Sequence, residues 1–145
     1  MTNLLLIVTI AGERVAFPAA RVESVVQVEE LAPVPRAPAH LAGLAALRSR
    51  VLTVIDCRAA LGCPATESRA QYDAIVVEQD GHPYALLVDG VDDVVEHQGD
   101  PHPLRGALAA GWTRAATGMV EVEGSLILLA DPAVLIAGTA NALAA

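Results

Sequence analysis

The sequence predicts an all-β fold with short helices: two small five-stranded barrels, one per copy of an internal repeat, followed by a C-terminal helix. Three observations predict it. The chain repeats itself at a spacing of about seventy residues. Each copy contains apolar, β-branched runs joined by tight-turn dipeptides. Five short strands per copy cannot cover both faces as an open sheet, so each copy closes on itself to remove its edges.

The repeat comes in two parts. Residues 5–26 align with 74–95 at an offset of 69, with six identities in 22 positions: Val8/Val77, Gly12/Gly81, Ala16/Ala85, Val22/Val91, Val25/Val94 and Val26/Val95. Composition alone would give about two. At an offset of 75, Gly43 meets Gly118, Val51-Leu52 meets Leu126-Ile127, Asp56 meets Asp131 and Leu61 meets Ile136. Copy two therefore holds six extra residues, placed in the loop around 99–103.

Each copy opens with a hairpin. Asp80-Gly81 joins 72–79 to 83–88, and Ala11-Gly12 centres its counterpart in copy one. Glycine accepts positive φ at little cost, as such turns require. An acidic stretch flowing into a third strand follows, over 21–30 and 91–97, where paired valines suit a pleated half-buried surface. Pro33, Pro35 and Pro38 then interrupt regular pairing. The closing hairpins are 44–48 with 51–55, and 118–122 with 126–130 around Glu123-Gly124. Asp56 precedes a short helix over 58–61 that Gly62 stops; Asp131 and Pro132 open a last helix expected to reach Leu143. Residues 63–71 form the linker between the copies, about 4–62 and 72–138, in what we expect to be one domain whose strands are open to exchange between the two barrels.

Composition narrows function. A hydrophobic fraction of 54% with 18% charged residues marks a globular chain rather than a disordered one. Nine arginines and no lysine face seventeen acids, for a net charge of −8. Such a surface repels phosphate, and 3% aromatic residues offer no base-stacking platform, so neither nucleic acid nor an anionic membrane surface is expected as a partner. No signal peptide or spanning segment is expected, and two cysteines, Cys57 and Cys63, fit a reduced cytoplasm as core filling.

No zinc spacing, phosphate loop, dinucleotide fingerprint or nucleophile elbow is present, and no cofactor or metal is expected. Asp89, Asp92 and Asp93 form the densest acidic group. Without a calcium-type loop around them, they read as solvated acids opening a helical turn. A thiol with a distant histidine leaves a small β-barrel enzyme as a minor alternative, with only Arg58 nearby to activate it. Arg48 ends an apolar run beside a tight turn, as either an interface contact or a solvated hairpin arginine. Gly43 in a strand marks a bulge or a close backbone approach, and the matching Gly118 makes part of that role architectural.

The run Val34-Pro35-Arg36-Ala37-Pro38, continuing through Gly43-Leu44-Ala45-Ala46-Leu47-Arg48-Ser49-Arg50-Val51 to Ile55-Asp56-Cys57-Arg58 and Leu61-Gly62, resembles the signature of the CheW family of chemotaxis adaptors. So do Val88-Asp89-Gly90-Val91-Asp92-Asp93-Val94 and Thr117-Gly118 followed by 126–131. The resemblance runs from about Leu4 to Gly138. It implies two SH3-like barrels and a non-catalytic cytoplasmic scaffold, with no membrane insertion of its own. The implied partners are the regulatory domain of a CheA-type histidine kinase and the cytoplasmic tip of a methyl-accepting chemoreceptor, within receptor arrays. It also implies that the receptor hairpin lies in a groove at the barrel seam, which on this chain matches Val22, Gly43, Leu47 and Arg48. Asp56, Asp89, Gly90, Val91, Gly118 and Asp131 match positions of structural character. The family's Asn-Leu-Arg-Gly is Ala46-Leu47-Arg48-Ser49 here, its proline in the next strand is Thr53, and the leucine after its aspartate is Cys57. The first hairpin has Ala16-Phe17-Pro18 where the family usually has Gly-Ile-Asp. A divergent paralogue, or an adaptor for another chemosensory output such as pilus motility or development, is the alternative. The fold is expected to fill the chain, leaving no room for a kinase or receiver domain.

Overall fold

The computed structural model describes residues 2–68, 70–98, 101–103 and 110–138. In chain order the strands are β1 (Thr2–Ile10), β2 (Glu13–Pro18), β3 (Val22–Val28), β4 (Leu41–Leu47), β5 (Arg50–Asp56), β6 (Tyr72–Gln79), β7 (His82–Val88), β8 (Gly90–Gln98), β9 (Ala116–Val122) and β10 (Ser125–Ala130). Three short helices join them: α1 (Cys57–Ala60), α2 (Ala110–Ala115) and α3 (Pro132–Ala137). A 3-10 turn, Ala19–Arg21, links β2 to β3.

The strands form two five-stranded sheets, β8-β1-β2-β10-β9 and β3-β6-β7-β5-β4. The expectation of one barrel per copy, each closing on itself, is corrected: each sheet takes its hairpin, β1-β2 or β6-β7, from one repeat and its other three strands from the other repeat. The parallel pairings reproduce the repeat offsets: Leu128 faces Val15 as Thr53 faces Tyr84, and Leu129 faces Ala16 as Val54 faces Ala85. Even the register slips coincide. Asp92 is skipped where β8 meets β1, and Glu23 is skipped at the equivalent place where β3 meets β6. A pseudo-twofold relation thus holds at single-residue resolution.

Each sheet curls toward a barrel that the segment after β3 or β8 closes. Ala32 exchanges two hydrogen bonds of 2.9 Å with Leu44, and His102 exchanges bonds of 2.7 and 2.8 Å with Met119. The glycines of β4 and β9 make room for that segment. A Cβ on Gly43 would lie 2.7 Å from the Ala32 carbonyl oxygen, and one on Gly118 would lie 2.9 Å from that of His102.

The apolar runs of the sequence divide by alternation between separate cores. Leu5 and Ile7 fill one barrel, and Ala74, Val76, Ala85 and Leu87 fill the other. Their neighbours Leu6, Val8, Ile10, Phe17, Ile75, Val77, Leu86 and Val88 point into a third core between the barrels, with Trp112 and Leu135. Strands buried on both faces show no polar alternation in sequence, which is why these runs read as continuous.

Two expectations need correction. The last helix ends at Ala137, where Gly138 turns left-handed at φ 83° and its N–H closes on the Val134 carbonyl; the expected extension to Leu143 lies outside the described residues. Asp92 and Asp93 lie in strand β8, and Asp89 in the turn before it, rather than opening a helix. The expected insertion around 99–103 falls partly outside the described residues.

Candidate functional site

Leu47 and Arg48 sit at the β4-β5 hairpin. Arg48 and Ser49 form its turn with φ of 49° and 67°, and the Arg48 side chain stands in solvent. Curling of the sheet brings the start of β3 alongside. Glu23 and Ser24 join Leu47, Arg48, Arg50, Leu52 and Val76 around a shallow depression of ≈ 200 Å³. Arg50 spans it, its Nη1 donating to Glu23 Oε1 at 2.6 Å. That bond holds the exposed Glu23 carboxyl below its ordinary range and pushes the Arg50 guanidinium up. Further along the same gap between the two edge strands lies a larger groove of ≈ 550 Å³, with Val28, Leu31, Leu44 and Leu47 on its walls and Glu29 and Glu30 at its rim.

The structure therefore brings Leu47 and Arg48 together and places Val22 one residue from that depression, half-buried against the inter-barrel core. Gly43 is buried under the crossing Ala32 segment at the far end of β4. The space between the barrels is packed with Phe17, Trp112, Leu135 and their neighbours from this chain itself, so a seam groove of the kind the resemblance implies would run over the surface of that core rather than through it. Two concave surfaces among the described residues lie between the edge strands of one barrel.

The residues of structural character do different work. Asp56 is buried; its carboxylate caps α1 through the Arg58 and Ala59 amides and also takes the Thr66 amide and hydroxyl, both at 2.8 Å, which ties the linker down. Asp131 caps α3 through the Ala133 amide at 2.9 Å. Asp89 binds Arg58 through both carboxylate oxygens and takes the Ala11 amide at 2.8 Å. That pairing pushes the Arg58 guanidinium further up. Val91 pairs with Val8 beside the register slip. Gly90 has open space where a Cβ would stand and no left-handed backbone, so nothing in the structure explains its glycine.

Sequence reasoning missed His40. It is buried, its Nε2 lies 2.9 Å from the Ile136 carbonyl oxygen, and its ring fills the space a Cβ on Gly138 would need. No spacing signal marks it, because its partner is 96 residues away. The Arg58–Asp89 pair had a faint signal, an arginine beside a capping aspartate and an acid closing an apolar strand.

Cys57 is fully buried, and burial together with Asp56 and Asp89 pushes its thiol far up, opposite to the shift a nucleophile needs. Among the described residues, no three His, Cys, Asp or Glu side chains gather as metal ligands, and no helix is long and apolar enough to cross a membrane.

Residues 4–140 match the family model described as CheW-like domain. The chain belongs to the CheW-like domain family. A curated relative, "Chemotaxis protein CheW" of Rhizobium meliloti (strain 1021), is 33% identical over 103 residues, 68% of this chain. The matched stretch spans 64% of that relative's length. Among solved structures, the scaffolding protein TtCheW from Thermoanaerobacter tengcongensis superposes with a TM-score of 0.77 at 22% identity, over 90% of each chain. That likeness gives this CheW-like domain the same fold as that scaffolding protein.

Proposed function

We propose that this CheW-like domain is a non-catalytic chemotaxis scaffold that joins a CheA-type histidine kinase, through its regulatory domain, to the cytoplasmic tips of methyl-accepting chemoreceptors. The observation that carries the proposal is the family match across residues 4–140, which spans both barrels rather than one. A scaffold needs two separate surfaces carried on one body, and a pseudo-symmetric pair of barrels on a shared core supplies a body of that kind. The buried, deprotonation-resistant Cys57 speaks against thiol catalysis. In this reading the protein works in the cytoplasm and meets the membrane only through its receptors.

The receptor contact is assigned to the hairpin end of the β3/β4 gap. Its apolar walls and the exposed Arg48 fork suit an amphipathic helical segment with a polar anchor. Co-purification with a kinase regulatory domain and a receptor cytoplasmic fragment tests the scaffold; loss of both would sink it. Within that assay, Arg48→Ala should change unfolding stability by less than about 0.5 kcal/mol, as for an exposed site. It should weaken receptor-fragment binding about tenfold. Full kinase coupling by this variant in a reconstituted assay would remove Arg48 from the contact.

A further inference from the structure

Along the described strands the backbone passes from one barrel to the other at two places only: Ala19–Arg21 between β2 and β3, and Asp89 between β7 and β8. The repeat makes these corners equivalent, yet they are built differently. At the first corner Ala20 stands where the second has Asp89, and Ala133 stands where the second has Arg58.

The Asp89 corner is tied to both barrels. Its Oδ2 takes the Ala11 amide, at the tip of the β1-β2 hairpin, at 2.8 Å. Its two oxygens receive Nε and Nη2 of Arg58, on α1 of the other barrel, each at 3.0 Å. Its own amide donates to the Thr9 carbonyl at 2.8 Å. A bidentate guanidinium–carboxylate pair fixes orientation as well as distance, and with side chains 31% and 18% exposed it is partly sheltered from solvent.

The other corner has an ion pair of inverted sign and looser geometry. Arg21 now supplies the cation, from the crossover, and Asp131 the anion, from the cap of α3, at 3.8 Å. The second Arg21 contact, to Gln79 Oε1 at 2.8 Å, is exposed. Side chains at this ion pair are 40% and 35% exposed, so water competes for them.

We infer that the two barrels are locked to one another at Asp89–Arg58, and that the Arg21–Asp131 corner is the side on which their relative orientation gives. Small adjustments between the barrels then pivot about Asp89, with side chains of the shared core sliding past one another as in shear motions. A partner seated on one barrel would favour one orientation of the other by that route. The inference concerns the isolated protein and does not depend on the scaffold reading.

Nitroxide labels at Val51→Cys and Leu126→Cys, exposed and equivalent positions on the two barrels, report the distance between them by pulsed electron paramagnetic resonance. A Cys63→Ser background leaves only the buried Cys57 as a native thiol. Arg58→Ala, and Arg58→Lys, which keeps the charge but loses the fork, should shift and broaden the distance distribution, whereas Arg21→Ala should leave it at the wild-type mean. Exchange of the Ala11 amide should become about tenfold faster in the Arg58 variants, by local opening of the corner. If Arg58→Ala does not fold, Arg58→Lys carries the test alone. A wild-type distribution in a folded Arg58 variant would overturn the inference, as would an equal change on removing Arg21.

Discussion

Ser49 is the residue where this chain departs from its own rule. Three of the four hairpin turns pair a residue near φ 50° with a glycine near 82°: Ala11-Gly12, Asp80-Gly81 and Glu123-Gly124. The fourth has Arg48 at 49° and Ser49 at 67°, so a side chain occupies a left-handed position that its counterparts leave to glycine. Ser49→Gly should therefore raise unfolding stability by about 0.5–1 kcal/mol, read from urea midpoints at constant m-value. Cys57 gives a second prediction at this scale. Its thiol is held protonated in the fold, while an unfolded thiol ionises above about pH 8.5. Above that pH the unfolded chain binds fewer protons than the folded one, so stability is intact below it and falls as pH rises, by up to about 1.4 kcal/mol per pH unit. Denaturation curves from pH 7 to 10 should show this slope, and Cys57→Ala should flatten it.

At the scale of the element, β4 and β9 show what their glycines are for. Each lets the segment arriving from β3 or β8 cross close to the strand and bond to the residue that follows, Leu44 or Met119. Gly43 carries a double requirement, since its φ of 151° is itself unfavourable for a side chain. Gly118→Ala meets crowding alone, with contacts of 2.9 Å to the His102 oxygen and 3.1 Å to the Pro101 Cβ. Gly43→Ala should cost about 2–3 kcal/mol and Gly118→Ala about 1 kcal/mol, by thermal and urea unfolding of each. Equal costs would place the requirement in the crowding and not in the backbone. The hairpins were legible because their turn dipeptides announce them, whereas α2 was not, since Gly111 and Thr113 interrupt it and its buried Trp112 takes meaning only from the distant core it fills.

For the whole molecule, strand exchange makes the halves interdependent. A fragment ending in the linker has β3, β4 and β5 without the hairpin β6-β7 that lies between β3 and β5 in its sheet. Cleavage at the exposed Glu67-Ser68 should give pieces that are unfolded apart and regain β-structure when mixed, followed by circular dichroism and size exclusion. The intact chain should unfold in one transition with coincident probes, because the inter-barrel core draws on both sheets. Two separated transitions would show that each barrel stands without the other.

The amino-acid sequence by itself determined the strands, the turns, the caps at Asp56 and Asp131, and the offsets of the repeat, because each is encoded by neighbours a few residues apart. It brought the hairpin residues Leu47 and Arg48 into consideration, but could not pair them with Glu23 and Ser24, which reach them only when the sheet curls. Nor could it say which barrel each hairpin joins. An exchanged pair such as Val8 with Val91 and an unexchanged pair such as Val8 with Val22 present the same side chains to one another, so local pattern is silent between them. Tertiary structure decided that, and with it the core between the barrels: alternate residues of the exchanged hairpins meet there, and burying them against each other removes apolar surface from water.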